Sequence, residues 1–186
     1  MSYSTRRIVS FFPRRSKIAP EDLLQCAVNV YHGIRIPLNN MYGEPLTQYV
    51  RCTGEKSWYG QPARHDWVWV QASKQREDQQ PAYGALRGRL PYRLLKLFKL
   101  SADVGGPFWC AFVQTTTPAA GGTPERASSM VKVIKPTTGS GYAVISGDSI
   151  DGAAHLIPEE PDCSGIQNKG WMVNSHIDLA TWNEVY

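Results

Sequence analysis

Residues 66–71 read Asp-Trp-Val-Trp-Val-Gln, and few backbones other than a β-strand suit that run. Its side chains alternate, with Trp67, Trp69 and Gln71 on one side and Asp66, Val68 and Val70 on the other. β-Branched and aromatic residues suit a pleated surface, and the two-residue period matches a strand, not a helix. The run is read as a core strand first and as a platform for a ligand second.

The rest of the sequence is punctuated to match. Its 186 residues include 16 glycines and 13 prolines, which favour short strands and turns over long helices. Val28 to Ile36 alternates and is expected to stop at Pro37, after a helix start near Pro20. "TQYVRC" reads as a second short strand, and "PFWCAFVQTTT" as a buried one. "LRGRLPYRLLKLFKL" fits either period; lying between two strong strands, it is assigned as a strand pinned by Gly88 and Pro91. "MVKVIKP" and "GYAVIS" flank Thr137–Gly141 as a hairpin would. A short strand or turn follows near Ile150, then an acidic loop, a strand at Trp171–Asn174 and a short terminal helix after Asp178. The expected fold is mainly β: a compact twisted antiparallel sheet or a partly open small barrel, with one or two short helices. Residues 1–20 form a basic flexible lead and residues 21–186 a single β-rich globular domain.

Charge is distributed unevenly. Residues 1–20 hold Arg6, Arg7, Arg14, Arg15 and Lys17 and no acid, whereas from 143 onward seven acids face Lys169 alone. A basic front half offers a footprint for a polyanion, DNA or chromatin; it also offers attraction to the acidic back half within the fold. No apolar run reaches the roughly 18 residues that a membrane helix needs, and the N-terminus lacks the apolar stretch of a secretory signal. The expected address is nuclear or cytoplasmic, away from membranes. Cys26, Cys52, Cys110 and Cys163 are widely spaced, so they are read as reduced thiols packed as small hydrophobes.

Motifs for bond-making chemistry are sparse. No glycine-rich phosphate loop and no Gly-x-Ser-x-Gly elbow occur, so no nucleotide or other cofactor is expected. Arg64-His65-Asp66 has the residue types for acid–base work, but neighbours on a strand point apart, so His65 and Asp66 are not expected to pair. His176-x-Asp178 with His155 has the composition of a two-histidine, one-carboxylate metal set and carries the alternative of a small metal-dependent enzyme. Trp58, Tyr59, Trp67 and Trp69 among Arg64, Arg87, Arg89 and Arg93 are the candidate binding surface. Aromatic faces stack on bases, arginines neutralise phosphate, and the same rings suit a methylated lysine. The competing reading gives the tryptophans to the core, or to an interface with a protein partner or a second copy.

The ordered set YVRCTGEKSWYGQPARHDWVWVQ, YGALRGRLPYRLLKLFKL, FWCAFVQTTTP, IDGAAHLIPEE and WMVNSHIDLATWNEVY resembles the C-terminal β-rich region of fungal transposon-derived proteins. The nearest group is the Plavaka-type transposases of the CACTA class. The resemblance runs from about residue 28 to 186 and implies a non-enzymatic module of a mobile-element protein, because the catalytic acids of such transposases belong to a separate upstream core. Its matching positions, among them Arg64, Asp66, Trp67, Gly88, Pro91, His155 and Asn174, read as fold-defining. The strand order is also similar to that of bromo-adjacent-homology modules, an analogy of pattern alone.

Overall fold

The computed structural model describes residues 28–39, 42–54, 63–71, 86, 88–100, 108–119, 130–159 and 170–174. The basic lead and both expected helices lie outside them. Thirteen short strands occupy these residues in three antiparallel sheets, and the sheets do not close into a barrel. The mainly β expectation holds; the organisation is several sheets, not one.

The largest sheet is built on β6 (Arg89–Leu100), which settles the ambiguous leucine-rich stretch as a strand. Gly88 enters it at φ 77°, a backbone conformation that favours glycine. β7 (Phe108–Gln114) pairs along one edge of β6, and β10 (Tyr142–Ser146) pairs with β7. The other edge of β6 is shared. Its first half pairs with β5 (Trp67–Gln71), and its last four residues pair with β1 (Val28–Tyr31). Beyond β5 lies β11 (Ile150–Ala154). Between Leu94 and Lys96 the register with β7 slips, so Leu95 is an extra residue that bends the long strand where its partner changes.

Both partners on that shared edge continue into a second sheet. After His32, β1 continues as β2 (Gly33–Asn39); before Asp66, β5 is preceded by β4 (Arg64–His65). β3 (Pro45–Thr53) lies between β2 and β4 and pairs with both. β2 does not stop at Pro37 as expected but runs on to Asn39. Among the described residues it pairs only with β3, and at such an edge a missing N–H can face away from the ladder.

Asp66 joins the sheets. Its N–H donates to the Arg51 carbonyl at 3.0 Å, and its own carbonyl accepts from the Leu94 N–H at 2.9 Å. Its carboxylate accepts the Arg51 N–H at 2.9 Å through Oδ2 and the Arg64 Nε at 2.8 Å through Oδ1. On the opposite side the Cys52 N–H donates to the His32 carbonyl at 2.9 Å. The end of β3 is therefore tied to both continuing strands at the point where they leave β6.

Two apolar clusters result. Val50, Cys52, Val68, Val70, Leu94, Leu97 and Val113 form the first, between the largest sheet and the β2–β3–β4 sheet. Trp69, Leu90, Val131, Val133 and Val173 form the second, against a four-stranded sheet of β8 (Thr117–Pro118), β9 (Lys132–Ile134), β12 (Leu156–Pro158) and β13 (Trp171–Val173). β5 contributes to both, which explains why both of its sides are apolar. The expected β9–β10 hairpin does not form. β9 pairs with β8 and β13 while β10 pairs with β7, because Val133 belongs to the second cluster and Ala143 and Ile145 pack on the first. A 3-10 turn, Gly147–Ser149, connects β10 to β11.

Replacing Asp66 by Ala removes the acceptor of the Arg51 N–H and should cost about 1–1.5 kcal/mol, the low end for a charge-assisted bond because water reaches the Arg51 side. Arg64→Ala should cost under about 1 kcal/mol, since that ion pair is exposed on the arginine side. Urea unfolding of the two variants measures the difference. The described thiols should also be inert. Burial pushes Cys52 up to about 11 and raises Cys110 as well. In a variant with Cys26 and Cys163 changed to serine, Ellman's reagent should count no fast thiol until denaturant is added.

Candidate functional site

The last rung between β5 and β11 joins Trp67 to Ala154. Beyond it the two strands separate. Upstream of Trp67 the chain bends at Asp66 toward β3; downstream of Ala154 it bends at His155, whose carbonyl accepts the Asn174 N–H at 2.8 Å, toward β13. The gap left between them is a cleft of about 340 Å³. Arg64, His65, Asp66 and Trp67 line one wall, and Ala153 to Ile157 the other, with Tyr49 and Asn174 completing it.

The Arg64-His65-Asp66 triplet is ordered as strand alternation anticipates. Asp66 pairs with Arg64, two residues away, and not with His65. Both carboxylate oxygens are engaged, so Asp66 acts as a structural anchor. His65 titrates below its ordinary value of 6.5 because burial disfavours the imidazolium; the Arg93 guanidinium adds to this, and Asp66 opposes it. It is held neutral at neutral pH, with one ring nitrogen able to donate and the other to accept.

The outer surface of the β2–β3–β4 sheet runs up to this cleft. Residues paired across an antiparallel ladder share a face, which places Arg35 opposite Tyr49, Gly33 opposite Arg51, and Thr53 opposite Arg64. Tyr49 is 51% exposed, yet its ring is held down on the sheet. A Cβ on Gly33 would meet the Val50 carbonyl oxygen at 2.7 Å and the Tyr49 hydroxyl at 3.0 Å, so the backbone there demands glycine and the end of the ring rests against it. The Arg51 guanidinium lies 5.3 Å from the centre of that ring. Arg35, Arg51 and Arg64 are all exposed around it.

The residues expected from the sequence are dispersed by this geometry. Trp69 is 5% exposed in the second cluster and offers no stacking surface, so the core reading applies to it. Its Nε1 has no hydrogen-bond partner among the described residues. Trp67 is half-buried at the cleft, its ring 5.0 Å from that of Trp171 in an edge-on contact. Arg64 reaches the cleft; Arg93 is half-buried beside His65; Arg89 pairs with Asp151 at 3.5 Å, at the far end of β5. Trp58, Tyr59 and Arg87 lie outside the described residues, as do His176 and Asp178. His155 is exposed at the cleft, and among the described residues no group of three or more His, Cys, Asp or Glu is placed to hold a metal. Tyr49, Arg51 and Arg35 were not anticipated. The alternation Thr47, Tyr49, Arg51 against Gln48, Val50, Cys52 is the signal that identifies their face.

The His65 environment has a measurable consequence. As pH falls, the unfolded chain binds a proton at this histidine before the folded protein does. The stability it contributes is fully present above 6.5 and is lost as pH falls through its lower folded value. Thermal unfolding should show a steeper acid loss in the parent than in His65→Gln, with the two curves converging above neutrality. Compared with known protein families, with curated proteins and with solved structures, the chain matches none.

Proposed function

We propose that this protein is a non-enzymatic binding module that carries a single strand of DNA, or a locally opened duplex, on the outer face of β2, β3 and β4. The observation that carries the reading is the exposed Tyr49 ring, whose hydroxyl end rests over Gly33, with the Arg51 guanidinium beside it and Arg35 and Arg64 exposed on the same face. A flat ring stacks on any base, and guanidinium groups beside it neutralise the phosphates on either side. The acid nearest these arginines on the cleft wall is Asp66, and its charge is engaged by Arg64 and the Arg51 amide. The basic lead, residues 1–20, adds a second polycationic segment to the same chain. The resemblance to Plavaka-type transposases supports a DNA-handling, nuclear setting. No described helix is long and apolar enough to cross a membrane.

A labelled single-stranded oligonucleotide titrated at several salt concentrations tests this directly. With three arginine contacts, log K should fall against log salt with a slope of at least about −2, and each Arg→Ala change should reduce the slope by about 0.7. Tyr49→Ala should weaken single-strand binding by about 1–3 kcal/mol at unchanged slope, and should leave duplex binding nearly untouched. Absence of salt-dependent binding would overturn the reading and leave the same face as a protein contact.

A further inference from the structure

The cleft is not needed for a strand to lie across Tyr49, yet it opens at the edge of that surface and shares Tyr49 and Arg64 with it. We propose that this fork between β4–β5 and β11–β12 receives one unstacked nucleobase of the strand carried by the arginine–tyrosine face. The proposal rests on the reading of that face.

Four features carry it. The volume of about 340 Å³ lies at the small end of the range for ligand pockets, ~300–1,000 Å³, and suits one heterocycle with its sugar. The Trp67 indole supplies a flat wall whose orientation is fixed in advance by its edge contact with Trp171. Reading a base by its edge needs donor and acceptor atoms at the wall, which the uncharged His65 imidazole supplies as a pair. Arg64 stands at the mouth with its Nε bonded to Asp66 and its side chain 57% exposed, so the rest of its guanidinium can meet the phosphate of the inserted nucleotide.

The same geometry argues against a cation in the fork, including a methylated lysine. An aromatic cage for such a ligand needs several ring faces converging on one cation, whereas among the described residues only Tyr49 and Trp67 border the cleft as apolar rings, both oxygens of Asp66 are already bonded, and Arg64 at the entrance repels a cation. A neutral heterocycle with an anionic tail matches the walls; an ammonium group does not.

The test uses the full chain in a Tyr49→Ala background, where stacking on the outer platform is already removed. Ile157 lies at the cleft and is 42% exposed, so Ile157→Trp fills the fork from its rim without entering either apolar cluster. Oligothymidylate and a fully abasic strand of equal length are compared by fluorescence anisotropy. In Tyr49→Ala the strand with bases should bind about tenfold tighter than the abasic one, and adding Ile157→Trp should make the two equal at an unchanged salt slope. A thermal melt matching that of Tyr49→Ala verifies that the double variant is folded. Equal, salt-dependent binding of both strands in Tyr49→Ala would overturn the base pocket and leave the arginine face standing. If neither strand binds, a thymidine monophosphate titration followed by NMR separates the two ideas. Movement of the Trp67 indole and His65 ring signals supports the fork alone, and still signals overturn both.

Discussion

The reciprocal clip between Arg51 and Asp66 is the contact on which the arrangement depends. One residue accepts the Arg51 N–H with its side chain, donates its own N–H to the Arg51 carbonyl, and offers its carbonyl to Leu94. A branch between sheets leaves backbone groups with no ladder to join, and any that are buried cost free energy when unpaired. Asp66 resolves this with a side chain of the right length to serve as an extra strand position. On the other limb the Cys52 N–H and the His32 carbonyl do the same job within the main chain.

Surface and cleft both follow from that branch. Because β4 leaves β5 at Asp66, the β2–β3–β4 sheet stands as a separate layer with its own outward face, and β3 places Tyr49 and Arg51 there by simple alternation. Because β11 continues past His155 into β12, which pairs with β13, while β4 turns the other way, the Trp67–Ala154 rung becomes the floor of an opening. Layer separation is stabilised from within. Gln48, on the inner side of β3, accepts the Ala153 N–H at 2.8 Å across 105 positions of sequence. The same strand therefore docks the layer with one side chain and presents the arginine–tyrosine surface with the next.

Local alternation made most strands legible, and the reason is plain in β5. Trp67 to Gln71 carries apolar groups on both sides, and the structure covers both, one with each cluster. Partner choice was not legible. β9 and β10 are separated by a glycine-rich turn and look like a hairpin, but burial of Val133 in one cluster and Ile145 against the other sends them to different sheets. Hydrophobic pattern fixes which side of a strand faces inward, not which neighbour it takes. The candidate site was half legible for a related reason. Tryptophans drew attention to β5, where Trp69 serves packing and Trp67 only borders the cleft, while the exposed ring is a tyrosine on β3 whose setting depends on Gly33, 16 positions earlier and adjacent only across the ladder.

Amide hydrogen exchange with and without a single-stranded oligonucleotide tests whether the branch at Asp66 holds the proposed nucleic-acid surface. Slow exchange is expected at Arg51, Asp66 and Leu94 in the free protein, with added protection confined to residues 49–53 and 64–67 when the strand binds. Residues 142–146, on the opposite edge of the largest sheet, should be unaffected. Fast exchange at the three branch amides, or protection that appears at 142–146 in place of the β3–β4 surface, would contradict the proposal.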